Sequence, residues 1–429
     1  RAGVRYRPFY LVNMVEVEAD RSLAEELAGR PDVSALAANL PASLSRAPGV
    51  WLEGSGTRAP AAVESNVAKI RAPEVWSRGF TGQGIVVGDA DTGVVWDHPA
   101  LKAHYRGWNG SAVSHDYNWH DAIHNAGFGN PCGSDAPAPC DDNGHGTATT
   151  SLIVGDDGAG NQIGVAPGAQ FIACRNMDRG DGTPARYTEC FQFFLAPTDH
   201  NGLNPRPDLG ANIINNSWGC PESEGCTDPN VLKAVVENVR AAGILVAVAA
   251  SNSGPGCATL DVPAYYEASF TVGATTLSDD IADFSSRGPV TADGSNRLKP
   301  DLCAPGVGLR VAAPPAAYRG GFSGTSGATP MVSGAVALLW SARPQLTGRP
   351  IETAQLLRAS AVQLTSTQDC GGYPGAAVPN AVFGWGRIDI EAAVEGVTHP
   401  PIVPAGPTRP APASVNRCRP PPPRVPPRS

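Results

Sequence analysis

Between Asn66 and Val397, short unbroken apolar runs alternate with segments whose apolar residues recur every three or four positions. GIVVGDAD (84–91), QFIAC (170–174), ANIINNSW (211–218) and ILVAVAAS (244–251) read as strands. The last lacks the polar alternation of a half-exposed strand, so it is expected to be covered on both faces. TATTSLIVG (147–155) reads as a helix. Another helix is expected after ANIINNSW, with Thr227 or Asp228 as cap, Pro229 in its first turn and Leu232, Val235, Val236 and Val239 on one face. GFSGTSGATPMVSGAVALLW (321–340) carries two serines through a glycine-rich turn into a buried helix. This rhythm predicts an α/β domain, doubly wound around a mostly parallel sheet with helices on both faces. In such sheets, chemistry gathers at the carboxyl ends of the strands.

The flanks follow different patterns. PFYLVNMVEVEA alternates as a strand, Asp20 can cap a helix over RSLAEELAGR, and VSALAANL reads as a second strand, giving a small α+β segment over residues 8–42. Residues 43–64 form a Ser/Ala/Pro/Gly-rich connector. The last thirty or so residues, HPPIVPAGPTRPAPASVNRCRPPPPRVPPRS, have little to bury and are expected to be extended or disordered. The divisions are therefore 1–64, 65–398 and 399–429. The chain opens at Arg1 without a start methionine or a signal-peptide pattern, and so reads as a processed or truncated form.

Composition narrows the function classes. With 42% hydrophobic and 17% charged residues among 429, the chain suits a globular protein. A net charge of −8 disfavours nucleic acid as the main partner, since phosphate binding needs a basic face. The longest apolar runs, Ile244–Ala250 and Val332–Trp340, fall short of a bilayer span, so no membrane partner is expected. None of the ten cysteines forms a CxxC pair. Cys132 with Cys140, and Cys220 with Cys226, bracket short turn-rich loops, which favours disulfides and an oxidising compartment. Cys174, Cys190, Cys257, Cys303, Cys370 and Cys418 do not pair from sequence alone.

Four polar residues lie where strands end or helices begin: Asp91 in DTG, His145 in DDNGHGT, Asn252 after ILVAVAAS, and a serine, Ser323 or Ser326, at the buried helix. Acyl transfer needs these types: a nucleophilic hydroxyl, an imidazole to take its proton, a carboxylate to orient the ring, and donors for the oxyanion. Each has a plainer account. Asp91 can be a turn residue, Asn252 can cap SNSGPG, and either serine can cap a helix. DTG is also an aspartic-protease signature, but no second DTG or DSG supplies the partner carboxylate. Asp89, two residues before Asp91, reads as a polar neighbour. HDAIH (120–124) superficially matches the helical zinc motif, yet its flanks are loop-like, and a solvated loop is the better account. His98 in WDHPAL is expected to cap a turn.

GIVVGDADTGV, DDNGHGT, NNSWG, AASNSGPG, FSSRGP, KPDLCAPG and GTSGATP follow one another in an order that resembles the subtilisin-like serine proteases (peptidase family S8), and within them the secreted bacillopeptidase F-like enzymes. The resemblance spans residues 66–397. It implies the subtilisin-like fold and a secreted serine endopeptidase acting on proteins or peptides. It makes Asp91 the orienting carboxylate, His145 the base, Ser326 the nucleophile and Asn252 an oxyanion donor. The chain order Asp, His, Ser belongs to this family. It also implies that Ser217, Trp218, Gly219, Ala250 and Ser251 bind an extended peptide, with Trp218 in a pocket wall unless it is an ordinary core tryptophan.

Further expectations come with it. The N-terminal segment resembles the second half of an inhibitor-type propeptide, with the maturation cut near residues 43–64; the plainer account is an accessory subdomain. No cofactor is required for the chemistry. Structural calcium is common in the family, and DDGAGNQIG (156–164) offers oxygens at a family calcium position without a ligand pattern that assigns a metal. Three positions depart from the family pattern: Ser251 where glycine is usual, Gly327 where methionine follows the nucleophile, and Met331 where histidine follows proline. Gly327 is expected to leave a packed side chain missing behind Ser326, changing rigidity. Gly327, Met331 and the retained propeptide-like segment also leave room for a catalytically silent, subtilase-like binding protein.

Overall fold

A computed structural model describes residues 4–43, 63–220, 226 and 228–403. Connector residues 44–62, Thr227, Cys418 and the proline-rich tail beyond residue 403 lie outside the described residues.

The N-terminal segment contains β1 (Tyr6–Phe9), β2 (Met14–Val17), α1 (Arg21–Ala28) and the two-residue β3 (Ala42–Ser43). The main body follows with α2 (Ser65–Lys69), α3 (Ala72–Trp76), β4 (Val86–Asp91), β5 (Trp119–Asp121), α4 (His145–Val154), β6 (Gln170–Arg175), β7 (Met177–Asp178), β8 (Asp181–Gly182), α5 (Pro184–Leu195) and β9 (Ile213–Asn216). It continues through α6 (Lys233–Ala241), β10 (Leu245–Ala249), β11 (Phe270–Thr275), β12 (Leu302–Pro305), β13 (Leu309–Ala313), β14 (Ala317–Phe322), α7 (Thr325–Ala342), α8 (Pro350–Ala359) and α9 (Ile390–Glu395).

Seven strands form one parallel sheet in the order β12-β11-β10-β9-β4-β6-β5. The pleat sends alternate residues to two separate cores. In β10, Leu245 and Ala247 face the core built around α4 and α7, while Val246 and Val248 face the core under α5 and α6. Ile213 and Ile214 of β9 divide in the same way. Both faces are thus apolar, which is why ILVAVAAS shows no polar alternation. The fold is a doubly wound α/β sandwich, as the alternating pattern predicts.

α7 is buried on all sides from Thr325 to Trp340. Its apolar residues meet α4 and the sheet, and the Trp340 indole N–H donates to Thr353 Oγ1 at 2.8 Å. α4 is likewise buried along its whole length.

Three sequence expectations shift. PFYLVNMVEVEA folds as a hairpin rather than one strand, because β1 and β2 pair antiparallel across a turn at residues 10–13. VSALAANL is irregular, and only Ala42–Ser43 pairs, with Asp181–Gly182. α6 begins at Lys233, four residues past Pro229, since Asp228 closes a turn by accepting from the Asn230 N–H at 2.8 Å.

The disulfides Cys132–Cys140 and Cys220–Cys226 form as expected, joined by Cys174–Cys190 and Cys257–Cys370. The last joins residues 113 apart, beyond any local reading. Cys303 is a buried free thiol whose ionisation burial suppresses. Among the described residues, no helix is long and apolar enough to cross a membrane.

Truncating Leu338, fully buried in the middle of α7, removes contacts on every side. Leu338→Ala is expected to lower stability by about 2–5 kcal/mol, read as a lower denaturant midpoint at unchanged slope.

Candidate active site

Asp91 is the last residue of β4 and His145 the first of α4. Their seam is tight: a Cβ on Gly146 would lie 2.1 Å from the Gly93 carbonyl oxygen, so only glycine lets the two turns touch. Across that seam His145 Nδ1 donates to Asp91 Oδ1 at 2.7 Å, with both side chains 1% exposed. The pairing fixes the tautomer and leaves Nε2 as the ring's basic nitrogen. Nε2 is buried and makes no hydrogen bond.

Two residues not singled out in the sequence hold this pair. Thr92 Oγ1 donates to Asp141 Oδ1 at 2.9 Å and accepts from the Gly146 N–H at 3.0 Å. Asp141 also accepts from the backbone N–H groups of Gly144 at 2.7 Å and Thr147 at 2.9 Å, satisfying donors at the start of α4. The doubled Asp before HGT was the available signal. Burial presses the His145 pKa down, but the Asp91 carboxylate and its hydrogen bond outweigh burial and raise it.

Asp89 points from the sheet toward α4. It accepts from Thr149 Oγ1 at 2.9 Å, Thr150 Oγ1 at 2.6 Å and Asn215 Nδ2 at 2.9 Å, as befits a polar neighbour. Burial, with the nearby Asp91, raises its pKa. Asn215 extends the network to Ser217 Oγ at 2.9 Å and Ser333 Oγ at 2.8 Å.

The N-terminus of α7 supplies the remaining groups. Ser326 is the helix's second residue, and its Oγ donates to the Ser217 carbonyl at 2.8 Å rather than to His145. Ser323 instead pins the turn before the helix, where its Oγ accepts from the Gly308 N–H at 2.9 Å and donates to the Gly321 carbonyl. The Thr325 N–H donates to Asn252 Oδ1 at 2.9 Å. A backbone N–H can only donate, so the Asn252 carbonyl must face Thr325 and its Nδ2 must point away. The position a Cβ would take on Gly324 lies 3.5 Å from Ser326 N and 3.6 Å from Asn252 Nδ2. Those two nitrogens therefore flank one small space at the head of the helix.

The expected peptide-binding residues are placed unevenly. Ser217 directly follows β9 and contacts Ser326, while Ala250 extends β10 by donating to the Val272 carbonyl at 3.0 Å. Gly219 faces Ser251, whose φ of +79° explains the family's usual glycine there. Trp218 requires correction: its side chain is 2% exposed, stacks on Tyr187 at 3.8 Å and donates to the Ala90 carbonyl at 3.0 Å. It packs as a core tryptophan, because its indole N–H finds a partner on the central strand β4.

Other positions resolve as well. No void is left at Gly327, since the space a Cβ would need is taken by a Leu309 methyl at 2.7 Å and by Phe322. Met331 is fully buried, with its sulfur accepting from Asn66 Nδ2 at 3.2 Å. His98 does close a turn, accepting from the Ala100 N–H at 3.1 Å. HDAIH begins on β5 instead of in a solvated loop, and His120 Nε2 meets Glu189 Oε1 at 2.8 Å. The 156–164 loop does not fit a calcium ion. Asp157 accepts from the Ala159 N–H, the Asn161 amide and the Tyr318 hydroxyl, and no cluster of three metal-ligating side chains occurs among the described residues.

The sequence matches the model of the Subtilase family over residues 82–386. The chain belongs to the subtilase family. Bacillopeptidase F of Bacillus subtilis (strain 168) is 36% identical over 403 residues, covering 91% of this chain but 26% of that protein. Serine protease AprX of the same strain is 32% identical over 74% of this chain and 67% of its own length. Subtilisin E, also from that strain, is 30% identical over 67% and 64%. The chain thus spans about a quarter of the length of its bacillopeptidase F relative. The subtilase match begins at Gly82, just before β4, and reaches Gly386, so every polar group around the α7 N-terminus falls inside it.

Proton NMR of the His145 ring checks the electrostatics. Its pKa is expected above the ordinary 6.5. In Asp91→Asn it is expected to fall, because burial then acts with less opposition.

Proposed function

We propose that this protein is a serine endopeptidase that cleaves protein or peptide chains through an acyl-enzyme. The observation that carries the reading is the buried Asp91–His145 hydrogen bond, which leaves Nε2 basic and unpartnered on a ring 5.6 Å from that of Phe322, three residues before α7. Ser326 Oγ attacks the scissile carbonyl carbon as Nε2 accepts its proton. The carbonyl oxygen becomes an oxyanion held by Asn252 Nδ2 and the Ser326 N–H, helped by the positive end of the helix. His145 then returns the proton to the leaving amine, and water repeats the cycle on the ester. Asp91 stabilises the imidazolium formed in each half. Rotation of Ser326 Oγ away from the Ser217 carbonyl precedes attack, and catalytic hydrogen bonds commonly tighten only when substrate arrives.

The N-terminal segment is read as the second half of a propeptide, with secretion and a zymogen form following from that. It docks on two helices of the main body. Leu11 N donates to Gln192 Oε1 at 2.9 Å, the Tyr10 hydroxyl donates to the Gln192 carbonyl at 2.8 Å, and Asn238 Nδ2 donates to the Leu11 carbonyl at 2.7 Å. The divisions at 1–64, 65–398 and 399–429 follow this reading.

One observation favours a silent binding protein instead: Ser326 Oγ rests on a carbonyl, not on His145. A fluorophosphonate probe separates the two. The endopeptidase reading expects covalent labelling of Ser326 in the matured protein and none in Ser326→Ala; an unlabelled Ser326 overturns it.

Activity is expected to rise with pH as His145 loses its proton, with the acid limb of kcat/KM centred above 6.5. Asn252→Ala is expected to cut kcat about 10²–10³-fold, the size found for loss of one oxyanion donor in a subtilisin.

A further inference from the structure

Three chain segments converge beside the nucleophile. Residues 217–219 begin with the carbonyl that holds Ser326, and residues 250–252 end with Asn252. Residues 261–262 are locked alongside by the Cys220 N–H, which donates to the Val262 carbonyl at 2.7 Å. The position of a Cβ on Gly219 lies 2.5 Å from Ser251 Oγ and 3.7 Å from Asp261 Cβ, so the three face one another. Two polar groups there face each other. Ser251 Oγ is buried without a hydrogen bond of normal geometry, although it lies close enough to the Asp261 carboxyl to lower its pKa somewhat. Asp261 is partly buried, and among the described residues no cation pairs with it.

A carboxylate left in that condition favours a positively charged visitor. The direction from which one arrives follows from the chemistry, and rests on the peptidase reading above. The substrate carbonyl oxygen sits between Asn252 and Ser326 N, so the residue that carries this carbonyl has its side chain one bond away, toward residues 217–219 and 251. The leaving amine lies on the other side, toward His145. We propose that Asp261 is the floor of the pocket for the side chain on the acyl side of the scissile bond, and that it selects arginine or lysine there. The slender alkyl stem passes Gly219, where no side chain obstructs it, and the cationic head meets Asp261 with the Ser251 hydroxyl as a further acceptor. The unusual serine at 251, tolerated at positive φ, thereby gains a role.

The test uses two peptides that differ only in arginine or leucine before the scissile bond. With the matured protein, kcat/KM is expected to favour arginine at least about tenfold, and Asp261→Asn is expected to erase that ratio. Burial pushes the Asp261 carboxyl up to about 6, so the ratio should shrink as pH falls through that value. His145 titrates equally for both peptides and cancels from the ratio. Direct binding of the same peptides to Ser326→Ala, followed by fluorescence anisotropy, gives an arm independent of turnover and should also favour arginine. Equal binding and equal kcat/KM for the two peptides would overturn the assignment. Arginine-selective binding without any turnover or probe labelling would support the pocket while overturning the peptidase reading.

Discussion

The whole arrangement depends on a helix whose first four turns have no exposed face. α7 is buried around its entire circumference and rich in apolar residues, so it is stable only if something covers every side. The sheet covers one flank, and α4, α9 and the β13–β14 hairpin cover others. A helix fixed in this way cannot slide or roll without opening cavities. Its N-terminus must then emerge where the strands end, and Ser326, its second residue, emerges with it. Ser326 is positioned by the core packing of α7, together with the turn that Ser323 pins before it.

Packing of this kind creates an electrostatic problem that the polar network answers. Asp89 and Asp91 sit two residues apart on one buried strand, where their charges repel in a medium of low polarity. Asp91 is given a cation-forming partner in His145. Asp89 is given only neutral donors, from Thr149, Thr150 and Asn215, and its raised pKa lets it take up a proton more readily. Asp89 can thus shed its charge while Asp91 is kept for the imidazole. Asn215 couples this pair to Ser217 and hence to the carbonyl on which Ser326 rests.

How much of this was legible depended on the range of the interactions. The parallel sheet could be read because strands buried on both faces leave continuous apolar runs such as LVAVA. The residues Asp91, His145, Asn252 and Ser326 could be singled out because each sits in a glycine-rich junction whose backbone needs that glycine, as at Gly146. Where the partner is distant, the sequence falls silent. Cys257 and Cys370 carry no sign of each other, and Gly327 looks like a missing side chain until Leu309 is seen filling its place. Trp218 looked outward because its neighbours face the cleft, yet Tyr187 and the Ala90 carbonyl draw it inward.

Asp261 marks the same boundary from the other direction. It belongs to none of the motifs that the sequence presents. Only the folded chain brings it against Gly219 and Ser251. Residues that perform the acyl transfer are constrained by backbone geometry and therefore leave short signatures. Residues that choose the substrate need only project into a shared pocket, which many loop positions can do. In this chain the odd serine at 251 was visible in sequence while the carboxyl that gives it meaning was not. Machinery is written locally, and selectivity is written in the contacts between distant loops.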